Sequence, residues 1–196
     1  IVEGCFSLPI DMFHARHVHP MLVIPSGTRA ESRMDLYDGK TRNQTRRARE
    51  APLTLSLSRG TIPQGWHDLY VETRERLGSK PNGKDYFTLL TECFGDSLRC
   101  VVARNGDRIV GSTLYIVHGE YVHLLENISE PSHWPQRVNN LVYDEMIRLS
   151  MIEGARTIDF GLTGAHDKSH LDFKKGFGGV EHYIVSRTFG SATARL

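Results

Sequence analysis

Between Leu98 and Phe160 the hydrophobic pattern changes period twice, and this restricts the fold more than any other feature of the chain. Leu98–Arg104, Arg108–Val117 and Tyr121–Asn127 are apolar stretches of strand length, separated by Asn105-Gly106 and by His118-Gly119-Glu120. Asn-Gly takes the left-handed turn whose twist suits a tight hairpin, so the three stretches predict an antiparallel meander. Pro135 then opens a helix, with Val138, Leu141, Val142, Met146, Leu149 and Ile152 at helical spacing and Gly154 at the C-terminal cap position. Thr157–Phe160 reads as a short buried strand. Hairpins join antiparallel strands and a helical crossover joins parallel ones, so this order requires a sheet of mixed direction with a helix across one face.

The flanking segments extend the pattern. Leu53-Thr-Leu-Ser-Leu57 alternates with period two, a half-buried strand. Thr61 and Pro63 read as a helix start, with Trp66, Leu69, Tyr70, Thr73 and Leu77 on one buried face and Gly78 as the stop. Lys84–Phe94 predicts a second helix, with Phe87, Leu89, Leu90 and Phe94 as its apolar positions. Gly161–Gly179 is a glycine-rich block around a short helix, where Ser169 and Asp172 resemble a capping box. Val180–Thr188 reads as a last strand and Gly190–Leu196 as a frayed tail. The order from Leu53 is β-α-α-β-β-β-α-β-α-β, an α/β chain with helices on both faces of a mixed sheet.

The first fifty residues are less regular. Leu8-Pro9 and His19-Pro20 break helices, Met21–Ile24 reads as a short strand, and a helical stretch from Glu31 through Leu36 is interrupted at Gly39. Lys40–Arg49 carries five positive charges in ten residues and reads as a solvated helix facing water or an anionic partner. The composition supports one domain, or one domain and part of another. The chain has 196 residues, 24 Lys+Arg against 23 Asp+Glu, and 39% hydrophobic residues. That balance excludes disorder and fibrous repeats and gives no global electrostatic reason to expect nucleic acid. No apolar run is long enough to span a membrane. Three cysteines at unrelated spacings argue against a disulfide framework, and Cys93 and Cys100 fit a core, so a reducing, cytoplasmic setting is expected. The chain opens at Ile1 without a signal-peptide pattern, which reads as a fragment, a processed chain or a chain with further leading residues.

Two short motifs add a resemblance. Gly154-Ala-Arg-Thr-Ile-Asp-Phe-Gly161, a spacer, and then Phe173-Lys-Lys-Gly-Phe-Gly-Gly179 resemble the signature of FemAB-type acyltransferases, and the element order is the layout of the GNAT fold. The basic Arg42–Arg49 segment resembles the one preceding the acyltransferase domain in that family, so the likeness spans about residues 40–188. It implies a GNAT-like mixed, mostly antiparallel sheet flanked by helices on both faces. It also implies an N-acyltransferase that moves an acetyl, acyl or aminoacyl group onto a small-molecule or glycan amine, in cell-wall or exopolysaccharide metabolism. FemAB-type proteins usually carry two such domains. Residues 40–190 would then be the second, residues 1–39 the remnant of the first, and 191–196 a tail. The donor implied is acetyl- or acyl-CoA or an aminoacyl-tRNA, with no metal. One departure stands out: Asn127–Val138 contains no glycine, where CoA-dependent relatives place a glycine loop for the pyrophosphate.

Acyl transfer to an amine needs a deprotonated nucleophile, a stabilised oxyanion and a bound donor. Lys174, in the Phe-Lys-x-Gly-Phe-Gly context, is the first candidate for holding a phosphate or stabilising negative charge, against the plain alternative of a surface lysine. Asp159, ending a buried strand, either orients or deprotonates the amine or simply caps a turn; a kinase Asp-Phe-Gly reading fails for lack of its partner motifs. Glu126 and His123 lie on a strand facing the expected cleft, and either can act as a base through water. Strict alternation puts them on opposite faces and favours Glu126, the nearer to the strand end. Gln136, Arg137 and Val138 at a helix start, with Tyr143, are the candidate donor-binding residues. His166 with His170, and His14 with His17 and His19, have spacings reminiscent of metal sites, but no further ligand follows either group. Arg42, Arg46, Arg47 and Arg49 suit tRNA or another polyanion, or form a solvated face. A non-catalytic GNAT-like binding module is the alternative to an enzyme.

Overall fold

A computed structural model describes residues 17–164 and 166–184. Eight strands form one sheet: β1 (His17–Val23), β2 (Thr54–Arg59), β3 (Leu98–Asn105), β4 (Arg108–His118), β5 (Tyr121–Ser129), β6 (Thr157–Asp159), β7 (Thr163–Gly164) and β8 (Val180–Ile184). The path runs β2-β3-β4-β5-β6-β1-β7, with β8 also paired to β1. Because β8 overlaps β6 at Met21 and β7 at His17 and Val18, it must occupy the other edge of β1. All pairs are antiparallel except β5 with β6. The mixed, mostly antiparallel sheet read from the sequence is the one observed.

Five α-helices cover the sheet: α1 (Gly39–Arg49), α2 (Trp66–Arg76), α3 (Lys84–Phe94), α4 (Val138–Ile152) and α5 (Lys168–Gly176). On one face Trp66, Leu69, Tyr70 and Phe87 of α2 and α3 bury Leu98, Cys100, Val102, Leu114 and Ile128. The Trp66 indole N–H, fully enclosed there, donates to Ser112 Oγ at 2.8 Å, so the large apolar ring is buried at no polar cost. On the other face α4 lies over Val101, Tyr115, Val122 and Ile158. Its apolar residues run almost all round because α1 and the 3-10 turn Ala30–Leu36 cover its back. Among the described residues no helix is long and apolar enough to cross a membrane.

Several expected boundaries move, each for a local reason. The segment from Pro131 to Gln136 is 3-10, Arg137 turns through φ 59°, and α4 begins at Val138 instead of Pro135. Gly65 at φ 82° delays α2 to Trp66. The α5 cap is Asp167, which accepts from the His170 N–H at 3.1 Å, in place of Ser169. The Glu31–Leu36 stretch is 3-10, and Gly39 starts α1 under an Asp38 cap instead of breaking it. Nor is α1 solvated all round, since Thr41, Thr45 and Ala48 are buried. Cys93, Leu89 and Phe94 of α3 are exposed, leaving Phe87 as its buried anchor, and Leu77 is exposed just past α2. The proposed Gly190–Leu196 tail and the end of the Val180–Thr188 strand lie outside the described residues. The boundary drawn at residue 40 leaves β1 on its N-terminal side, although β1 pairs with β6, β7 and β8.

Candidate active site

Strands β5 and β6 run side by side only from Tyr121 to His123 and then part, because the three-residue β6 ends at Asp159. The second half of β5 therefore keeps β4 on one edge and leaves the other free. Phe160–Leu162 bends away there, and Gly161 sits so close to the Leu124 carbonyl that a Cβ would stand 2.7 Å from its oxygen. The gap opens into a cleft of about 710 Å³. Thr73, Arg74 and Glu126 line it from the α2 side; Tyr143, Phe160, Phe173 and Lys174 line it from the α4 side. The cleft is thus continuous across the sheet.

Glu126, Tyr143 and Lys174 meet in this cleft. Lys174 is 3% exposed, and its ammonium donates to Thr163 Oγ1 at 2.7 Å and to the Gly161 and Leu162 carbonyls at 2.9 and 3.4 Å. It therefore fastens the loop that forms one cleft wall. Burial lowers its pKa to about 8, against weaker upward pulls from Asp159 and Asp167. Glu126 accepts from Arg74, whose guanidinium also lies 5.5 Å from the Tyr70 ring centroid. Burial raises the Glu126 carboxyl even against that ion pair. Tyr143 packs among Phe160, Phe173 and Phe177, with ring centroids 5.8, 5.0 and 5.3 Å away. Its hydroxyl and that of Thr73 find no hydrogen-bond partner among the described residues. Burial pushes the Tyr143 phenol upward, so it stays a neutral O–H donor.

Asp159 stands just beside the cleft, and both its oxygens are engaged. Oδ1 accepts the Gly161 N–H at 2.8 Å; Oδ2 accepts from His19 Nδ1 and His123 Nδ1, both at 2.9 Å, and from the Tyr121 hydroxyl at 3.0 Å. Burial alone would raise this carboxyl, but the bonds from His123, His19 and Gly161 outweigh it and hold it well below the usual carboxylate range. It is held as the carboxylate and is a hub for other side chains.

Strict alternation along β5 fails at one place. Leu114 pairs with Glu126 while Tyr115 pairs with Leu124, so Leu125 is an inserted bulge residue. The bulge resets the pleat, and His123, opposite Ile116, shares the α2/α3 face with Glu126.

Gln136, Arg137 and Val138 stand at the start of α4. The Val138 side chain is fully buried against Gly111, where an added Cβ would approach Val138 Cγ2 to 2.4 Å, so only its backbone N–H is available to a donor. Gln136 Oε1, Asn139 Oδ1 and Asn140 Nδ2 are buried without partners among the described residues, and Asn139 lines the cleft. Arg76, also lining it, lies 5.0 Å from the Trp134 ring centroid. Among the described residues no three His, Cys, Asp or Glu side chains are grouped to hold a metal ion. His166 precedes the α5 cap and does not share the helix with His170; His14 and the His17 side chain lie outside the described residues, and His19 is turned to Asp159. In the basic segment, Arg49 is committed to Asp144 and Glu145 and Arg42 donates to the Tyr37 carbonyl, so Arg46 and Arg47 are the two of the four that are exposed and have no side-chain partner among the described residues.

Known proteins share this fold. The fold is similar to that of FemX, with a TM-score of 0.74 and 13% identity over 85% of this chain and 59% of that one. It also resembles the C-terminal domain of a putative lysylphosphatidylglycerol synthetase from Agrobacterium fabrum, with a TM-score of 0.58 and 11% identity over 84% and 57% of the two chains. A third similar structure is AAC(6')-Iy in complex with the bisubstrate analogue CoA-S-monomethyl-acetylneamine, at a TM-score of 0.54 and 13% identity over 74% of this chain and 100% of the other. The chain spans 57–59% of the length of the first two. No sequence among curated proteins matches it. A family model described as an acetyltransferase (GNAT) domain matches residues 39–175, from the start of α1 almost to the end of α5. The chain belongs to the GNAT acetyltransferase family.

Proposed function

We propose that the cleft between β5 and β6 carries an acyl group from an activated donor to an amine. The observation that supports this most is a gap open to both faces of the sheet, with the unpartnered Tyr143 hydroxyl buried on one side. The free edge of β5 offers backbone groups to an extended donor arm, as any unpaired strand edge does. The neutral Tyr143 O–H donates to the oxyanion as the amine nitrogen adds to the acyl carbon. The bond from that carbon to sulfur or oxygen then breaks. Lys174 holds the Gly161–Thr163 wall in place, so that the reacting carbonyl and the hydroxyl meet at fixed distance.

The donor is a thioester of CoA or the ester of an aminoacyl-tRNA; both present the same activated carbonyl. An anionic group on the donor fits the α4 N-terminus, with Gln136, Arg137 and the Val138 N–H at the turn and Arg76 beside it. The exposed Arg46 and Arg47 suit the phosphates of a tRNA. The acceptor is a small-molecule or glycan amine, in a cytoplasmic step of cell-wall or exopolysaccharide construction. On this reading the acyltransferase domain includes residues 17–39, whose β1 pairs with β6, β7 and β8. The test supplies acetyl-CoA, longer acyl-CoA and aminoacyl-tRNA in turn with a panel of amines and follows product by mass spectrometry. Transfer that Tyr143→Phe slows about 100-fold supports the reading, the size expected for one oxyanion donor. No transfer from any donor points instead to a binding module.

A further inference from the structure

We infer that the amine acceptor enters from the face carrying α2 and α3, and that His123 Nε2 takes its proton. The inference rests on the acyl-transfer reading above and adds the base and the side of entry.

Asp159 is ionised and can only accept hydrogen bonds, so the two imidazoles within 2.9 Å of its Oδ2 must each present an Nδ1–H. That fixes the tautomer. In the neutral ring the proton sits on Nδ1, and Nε2 carries a lone pair directed away from the carboxylate. A histidine oriented in this way by a buried aspartate is poised as a general base. Of the two rings, His19 is the more enclosed, with its side chain 12% exposed against 37% for His123.

The bulge at Leu125 brings His123 into play. It sets His123 and the cleft-lining Glu126 on the same face, two pairing positions apart along β4 and so about 7 Å apart. Leu124, the next residue, lines the cleft where β5 and β6 part. Glu126 itself is engaged by Arg74, which leaves the imidazole as the unbound base on this side. The titratable groups around it are Asp159 on β6, His19 on β1, Tyr121 on its own strand and, three strands away on the same face, the exposed His182 of β8, which pairs with His19. The proton balance is simple. The amine nitrogen bonds to the acyl carbon and loses a proton to Nε2, directly or through one water. The imidazolium releases that proton to solvent as the departing sulfur or oxygen gains one.

The experiment compares wild type with His123→Ala, using the donor that wild type accepts, from pH 6 to 9. His123→Ala should lose about 100- to 1000-fold in kcat/KM. It should change the shape of the pH profile and recover in part when imidazole is added, the half-buried position leaving room for it. Wild-type rate in the variant, or a loss that is the same at every pH and unmoved by imidazole, overturns the proposal. Asp159→Asn, whose amide N–H can donate to Nδ1, should shift the tautomer and slow transfer without unfolding, checked by circular dichroism. Long-range ¹H–¹⁵N spectra of wild type give a readout independent of turnover. Neutral His123 protonated on Nδ1 supports the assignment, and protonation on Nε2 overturns it even if no donor is transferred. Absence of transfer with the Nδ1 tautomer in place counts against the acyl-transfer reading and leaves the imidazole confirmed as a poised base.

Discussion

Lys174 shows how much a single buried cation can organise. Its three oxygen partners include no carboxylate, so the charge is held by dipoles, and the loop Gly161–Thr163 is held in return. Lys174→Met keeps the length of the side chain but strands two carbonyls in a buried place, which costs about 1–3 kcal/mol and loosens the cleft wall. A lower urea midpoint together with lost transfer is the expected result. The pH dependence has a definite sign. The lysine titrates near 8 when folded and at its ordinary 10.5 when unfolded, so between those values the unfolded chain binds more protons. Relative to Lys174→Met, wild type should therefore gain stability as pH rises from about 8 towards 10.5, read from urea midpoints at both ends. The sequence context marked this lysine as unusual. Its partners were hidden because two of them are backbone oxygens, which carry no residue signature.

At the level of elements, α4 is tied to its neighbours through one carboxylate. Asp144, fully buried, accepts from Arg33 Nε and Nη2 at 2.7 and 2.8 Å, from the Tyr37 hydroxyl at 2.9 Å and from Arg49 Nε at 2.7 Å. Thus the 3-10 turn and α1 are both anchored on the middle of α4. Asp144→Ala would leave the 7%-exposed Arg33 without its counter-ion, and breaking a buried pair from one side costs about 3–5 kcal/mol. Chemical denaturation should show that loss, and Asp144→Asn should cost less because it keeps one acceptor oxygen. The elements themselves were largely legible: α3 spans Lys84–Phe94 as its apolar positions predict, and Asn105-Gly106 makes its hairpin. Two things escaped for one reason. Arg49 looks solvated within its own helix because its partner is 95 residues away, and the Leu125 bulge leaves no trace in a pattern that assumes strict alternation.

Over the whole molecule, the basic surface and the cleft belong to different parts of the fold. Arg46 and Arg47 are exposed on α1, away from the residues that line the cleft. If a tRNA delivers the acyl group, Arg46→Glu with Arg47→Glu should weaken tRNA binding and lower the log–log salt slope by about 2, measured by fluorescence anisotropy. Thermal stability of the variant should stay near that of wild type, since neither side chain is buried.

The placement of β1 has a further consequence, for the order in which the molecule takes shape. Met21 pairs with Asp159 and Val180, so the earliest described strand waits for partners that leave the ribosome some 140 to 160 residues later. The meander β2–β5 can assemble with α2 and α3 while β1 is still unpaired. The histidine of β1 that binds Asp159 therefore joins after the meander, and the imidazole–carboxylate cluster closes only once β6 has been made.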